Sequence, residues 1–213
     1  YNETNDLSIY PTPMIGMVGL IEPADRAVTQ WFKRSGDAII LLGKTREDLG
    51  GTEYLKVLHH REQGSPPLLN LEVEKAVQAC TVRLIREGLV QSAHDCSDGG
   101  LAVALTGCCI SGPDERLGAV VKLPVDGLRR DALLFGESQS RILLSVRSEQ
   151  AERVLNLAWD ATVHAARIGT VGGDRLVMQV EGDQRTAGCS VDLELTTLYD
   201  RWAKAIPRAL GQD

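Results

Sequence analysis

Residues 35–43 read Ser35-Gly36-Asp37-Ala38-Ile39-Ile40-Leu41-Leu42-Gly43. A turn-forming triplet gives way to five apolar residues in a row. The uninterrupted run Ala38–Leu42 predicts a strand, the first of a new domain. The polar stretch 22–37 before it marks the candidate boundary. Further upstream, Met14-Ile15-Gly16-Met17-Val18-Gly19-Leu20-Ile21 predicts a second buried strand. Pro11 and Pro13 bracket one end of it and Pro23 the other.

Downstream of the run, Gly50-Gly51 is a break and Thr52–His59 predicts a short helix. The clearest periodicity lies over 71–87. Val73, Ala76, Val77, Cys80, Leu84 and Ile85 follow the 3.6-residue spacing of a helix. Asn70 is placed to cap it. Glu72 and Glu74 fall in its first turn, Arg83 and Arg86 in its last, and Gly88 follows, all in accord with the helix dipole. A turn-like segment, Asp95 to Gly100, leads into a second apolar helix at about 101–110. Strands are expected at 118–123, 140–146, 166–171 and 175–180, and a helix at 149–160. Gly172-Gly173-Asp174 reads as a tight hairpin between the last two strands. A closing helix from about 192 carries Leu195, Leu198 and Trp202 on one face. The expected class is α+β: a mixed α/β sheet with packed helices. Repeats, low-complexity segments and coiled-coil heptads are absent.

Bulk properties narrow the classes further. A chain of 213 residues buries a core without metals or disulfides. Its charge of −6 argues against general nucleic-acid binding, which needs a basic face. No apolar run approaches the roughly 20 residues of a membrane span. The N-terminus carries no secretory pattern, and an opening at Tyr1 reads as a cut piece. Five cysteines, with no CxxC pair, read as buried free thiols of a reducing cytoplasm. The four histidines do not cluster with them at zinc spacing. His59-His60 reads as a solvated pair and His164 as a surface or helix-end residue. Gly43-Lys44-Thr45 lacks the preceding glycine of a P-loop.

Two stretches can carry chemistry. The first is His94-Asp95-Cys96-Ser97-Asp98-Gly99-Gly100-Leu101. Glycines let a backbone approach a ligand, a helix N-terminus offers N–H groups to phosphate, and carboxylates beside phosphate are magnesium ligands. Asp95, Ser97, Asp98, Gly99 and Gly100 are therefore a candidate phosphate element, with Asp95 and Asp98 as Mg²⁺ ligands. The same residues equally describe a helix start capped by Ser97 or Asp98. The second is Phe135-Gly136-Glu137-Ser138-Gln139-Ser140-Arg141. Glu137, Ser138 and Gln139 could hold a polyol, ribose or amide, or could hydrogen-bond within their own loop.

Read in order, these stretches resemble the phosphoribosylformylglycinamidine synthase family. Tyr1-Asn2-Glu3-Thr4 with Pro11-Thr12-Pro13 and the run to Leu20 resembles the join between two domains of that family. Gly36-Asp37, Leu49-Gly50-Gly51-Thr52-Glu53-Tyr54, Ser92 to Leu105, Leu134 to Arg141 and Ile168 to Gly173 continue the match. The Asp-x-Ser-Asp-Gly-Gly element alone is shared with aminoimidazole ribonucleotide synthetase, selenophosphate synthetase and thiamine-phosphate kinase. Thr106-Gly107 departs from the Ala-Glu usual there, and Gly inside a helix costs about 1 kcal/mol relative to Ala.

The resemblance implies an ATP- and Mg²⁺-dependent ligase that turns formylglycinamide ribonucleotide and glutamine-derived ammonia into the amidine. It implies two tandem two-domain units. Residues 1–25 would then be the terminal strand segment of a nucleotide-binding domain, and 26–213 the last, C-terminal synthetase-like domain. That domain faces a pseudo-symmetric site which in some members holds a structural nucleotide, ATP or ADP. Implied partners are the rest of the synthetase chain, a glutaminase subunit and a small accessory subunit, with no nucleic acid and no membrane. Two functions compete: an enzyme fragment, inactive alone, and a non-catalytic module kept for packing or an auxiliary nucleotide. A related synthetase of the wider superfamily is a third.

Overall fold

The computed structural model describes residues 3–4, 7–8, 14–113, 115–182 and 187–211. In chain order the elements are β1 (Glu3–Thr4), β2 (Leu7–Ser8), β3 (Ala38–Leu42), α1 (Glu53–His59), α2 (Leu71–Arg86), β4 (Val90–Asp95), α3 (Gly100–Ile110) and β5 (Ala119–Pro124). There follow α4 (Arg130–Phe135), β6 (Ile142–Val146), α5 (Ala151–Asp160), β7 (Ala165–Val171), β8 (Arg175–Glu181), β9 (Cys189–Glu194), α6 (Leu195–Ala203) and α7 (Ala205–Ala209).

The strand of the opening run, β3, is the interior of the fold. It pairs antiparallel with β6 on one side and β7 on the other. All five of its residues are buried because both faces of the sheet are covered. Successive side chains alternate between faces. Ala38, Ile40 and Leu42 meet Val77, Cys80 and Leu84 of α2 and Val154 of α5. Ile39 and Leu41 join the opposite core with Leu101, Leu105 and Cys108 of α3 and Leu134 of α4. The described strands form one sheet in the order β4-β6-β3-β7-β5-β8-β9, with β5 and β8 parallel, beside a separate β1-β2 pair. This is the expected mixed sheet with packed helices. No helix among the described residues is long and apolar enough to cross a membrane.

Local signals set the helix ends. Thr52 Oγ1 accepts the Leu55 N–H at α1, and Asn70 Oδ1 accepts those of Glu72 and Val73 at α2. Helix α3 runs through Gly107 to Ile110, and a Cβ added there would stand 3.1 Å from His94 Nε2.

Several expectations fail. Residues 14–21 form no strand, and Met14, Met17, Val18 and Leu20 are almost wholly exposed; a strand needs sheet neighbours to satisfy its backbone. Pro11, Thr12 and Pro13, with Tyr1 and Asn2, lie outside the described residues. Gly172-Gly173-Asp174 is no hairpin, because β5 lies between β7 and β8 and pairs with both. A three-residue link reaches about 10 Å, enough to step over one strand. The Gly172 N–H donates to Gly118 O and the Gly118 N–H to Gly173 O as it does so. The closing helix begins at Leu195, since 189–194 is an edge strand. Leu195 is buried there, whereas Trp202 is 60% exposed and off the packed face. Strand β4 and helices α4 and α7 carry no run or period that announces them. In β4 the buried Ser92 hydroxyl pairs with that of Ser145 at 2.6 Å, so a polar residue fills a core position.

Candidate functional site

Strand β4 ends beside the start of β6, with Asp95 opposite Ile142. That pairing brings the turn after β4 against the loop before β6, and the Cys96 N–H donating to Arg141 O at 3.0 Å carries the ladder one step further. The two stretches separated by some forty residues therefore line one cleft of about 490 Å³, with Asp95, Ser97, Asp98, Glu137 and Gln139 in its wall.

Glu137 joins the elements around the cleft. Its Oε1 accepts the Gly99 N–H at 2.8 Å and the Glu53 N–H at 2.9 Å. One carboxylate oxygen thus meets the starts of both α3 and α1, where backbone N–H groups are otherwise unpaired. Gly99 and Gly100 have φ of 77° and 68°. A Cβ at Gly100 would come within 2.5 Å of Gly136 O. Gly100 is required by close contact between the turn and the exit of α4, whereas a Cβ at Gly99 would collide with Val103 of α3 itself.

Ser138 is buried, and its Oγ accepts the Arg46 N–H at 3.0 Å. Gln139 Nε2 donates to Glu137 O at 3.2 Å. Beneath both lies Arg141, 2% exposed. Its Nε donates to Ser138 O at 3.0 Å, one terminal nitrogen to Gly136 O at 2.6 Å and the other to Thr45 Oγ1 at 3.1 Å. Burial pushes its pKa below the ordinary value, while Cys96, Asp48 and Glu137 act the other way. The guanidinium fork fixes the loop that carries Glu137. A charge standing at the entry of the apolar stretch Ile142–Val146 was the available signal for this residue.

The turn itself departs from expectation in two ways. Neither Ser97 nor Asp98 caps α3: its N-cap is Gly99, with no side-chain cap bond. The Ser97 hydroxyl donates instead to Asp95 Oδ2, and this bond, ahead of one to the His94 ring, holds the Asp95 carboxyl below its usual pKa. Second, the glycine amides do not face a ligand. That of Gly99 is engaged by Glu137 and that of Gly100 by Ser97 O. Glu74, Asp95, Asp98 and Glu137 border the cleft, with the buried Arg141 as the cation in its wall. Asp95 and Asp98 suit a hydrated divalent cation shared with other ligands; no group of three or more His, Cys, Asp or Glu among the described residues is placed to hold one.

The family described as "AIR synthase related protein, C-terminal domain" matches residues 34–181. Phosphoribosylformylglycinamidine synthase subunit PurL of Anaeromyxobacter sp. (strain Fw109-5) is 43% identical over 220 residues, covering 100% of this chain and 27% of that protein. Thermotoga maritima PurL complexed with FGAR superposes with a TM-score of 0.65 at 22% identity, over 83% of this chain and 30% of that one. The same protein complexed with ATP gives 0.62 at 21%, over 83% and 28%. At such identity these two likenesses establish the fold. The chain spans about a quarter of the length of the PurL relative it matches.

Proposed function

Since this chain belongs to the AIR synthase related protein, C-terminal domain family, we propose that it works as the C-terminal domain of a phosphoribosylformylglycinamidine synthase. That parent enzyme is an ATP-dependent carbon–nitrogen ligase of purine biosynthesis. In its reaction ATP phosphorylates the formyl amide oxygen of formylglycinamide ribonucleotide. Ammonia then adds at that carbon and phosphate leaves, giving the amidine, ADP and phosphate. The observation that carries this reading is the end-to-end alignment with subunit PurL.

Within that enzyme the domain's own share is to shape and support. Glu137, Ser138 and Arg141 are engaged in tying loops together, so they are not free to act on a substrate. Asp98 and Asp95 face the cleft for Mg²⁺, Asp95 exchanging its bonds to Ser97 and His94 for the cation, with any nucleotide held chiefly by the rest of the parent chain. Residues 1–25 belong to the preceding nucleotide-binding domain. A glutaminase subunit supplies ammonia, a small accessory subunit completes the assembly, and the setting is the cytoplasm. The engaged amides of Gly99 and Gly100 favour a second reading, in which the turn is purely structural.

The isolated chain is expected to form no amidine from ammonia and ATP; turnover comparable to the intact enzyme would overturn this assignment. In the full-length parent, Asp98→Asn should lower the amount of magnesium nucleotide retained while leaving unfolding unchanged. Equal occupancy in both proteins would leave only the structural reading of the turn.

A further inference from the structure

We propose that a second, preformed pocket, on the other side of Gln139 and Ser140 from the acidic cleft, binds a small organic anion: a carboxylate on a short apolar stem. The pocket has a volume of about 180 Å³, roughly the share of six waters in the liquid. That is too little for a nucleotide, since drug-sized ligands occupy roughly 300–1,000 Å³. Its floor is apolar, built from the buried Val77 and Val163 and the half-buried Ala76, with the more exposed Val73 and Leu68 at its edge, and Lys44, Arg46 and His164 stand around it.

Charge selects the occupant. In a chain of net charge −6, two cationic residues, Lys44 and Arg46, border this pocket together with the His164 imidazole. Among the described residues none of them forms an ion pair with a carboxylate. Helix α2 begins at the same pocket with Asn70, but Asn70 Oδ1 caps its first amides and Glu72 and Glu74 stand in its first turn, so the charge here comes from Lys44 and Arg46 alone. Glu74, in the first turn of that helix, is held by Ser140 Oγ at 2.6 Å and by Gln78 at 2.6 Å. A bare inorganic anion would leave the apolar floor uncovered, and a neutral alkyl group would leave the basic groups unpaired.

The backbone around the pocket is fixed in advance, which limits part of the ordering cost of binding. The Gly43 N–H donates to His164 O at 2.8 Å, the Arg46 N–H to Ser138 Oγ at 3.0 Å, and Ser140 Oγ to Glu74. Gly43 has φ of 84° and packs directly on the Ser140 backbone. The four segments that form the pocket are thereby cross-linked.

The test is an amide-shift titration of the 213-residue chain with pentanoate, pentanol and inorganic phosphate. Saturable shifts confined to residues around Lys44, Val73 and His164 are expected with pentanoate, at an affinity above that of either other probe. Lys44→Gln should weaken pentanoate about tenfold, the effect of losing one charge-assisted hydrogen bond. Val73→Phe should fill the pocket and abolish the shifts, with the rest of the spectrum unchanged in both variants. Pentanol or phosphate binding as well as pentanoate, or Lys44→Gln binding like wild type, would overturn the proposal.

Discussion

Glu137 and Arg141 show how a polar loop becomes a structural joint. Removing the Glu137 carboxylate leaves two amides at helix starts without an acceptor. A fully buried unpaired group costs about 1–3 kcal/mol; these two amides are half-buried, so Glu137→Ala should lower stability by about 1–3 kcal/mol in urea unfolding. Glu137→Gln keeps an acceptor oxygen and should lose about 1 kcal/mol; equal losses in the two variants would mean that the amides find other partners. Asp37 supplies a pH-dependent test. Burial raises its pKa above the ordinary 3.8, against the pull of Arg34 and Arg147. A carboxyl with a raised folded pKa contributes stability below its unfolded pKa and loses it as pH climbs through the folded one. Asp37→Asn should therefore gain on wild type as pH rises from about 4 toward neutrality. Unfolding midpoints that differ by a constant across that range would count against it.

At the scale of elements, α3 carries two opposed glycine requirements. Gly107 lies mid-helix against the half-buried His94 ring, which has room to yield at the sheet edge. Gly107→Ala should raise stability by about 0.5 kcal/mol, part of the usual helix gain. Gly100 combines φ of 68° with close contact on Gly136 O. Gly100→Ala should cost about 2–3 kcal/mol from left-handed strain and collision. A thermal-melting series settles both signs. The cysteines of the same region are sealed: burial pushes Cys109 up to about 12 and Cys96 up to about 11. Only Cys189 is half-buried, so a thiol reagent at pH 8 should label one site per folded chain and five after unfolding.

For the molecule as a whole, packing begins near Val28, and everything described from Met14 to Ala27 is exposed. Deleting residues 1–25 should leave the free energy of unfolding in urea within about 0.5 kcal/mol of the full chain and improve solubility by removing Met14, Ile15, Met17, Val18 and Leu20. A large loss of stability would mean that the segment is part of this fold rather than of a neighbouring domain.

What the sequence determined by itself is whatever depends on near neighbours. The apolar run Ala38–Leu42, the period over 71–87, the cap at Asn70 and the burial of four of the five thiols were legible, because each follows from a few adjacent residues meeting water or a helix end. So was the pairing of carboxylates and glycines that marks the 95–100 turn. Tertiary structure alone decided that β5 enters between β7 and β8, that Ser92 fills a core position by meeting Ser145, and that residues 14–21 have no sheet to join. It also decided the fate of the candidate site. Whether the amides of Gly99 and Gly100 face a ligand or a protein oxygen depends on Glu137, brought across from a distant loop by the pairing of β4 with β6. A hydrogen-bond donor is fixed by its residue, but its acceptor is chosen by the fold.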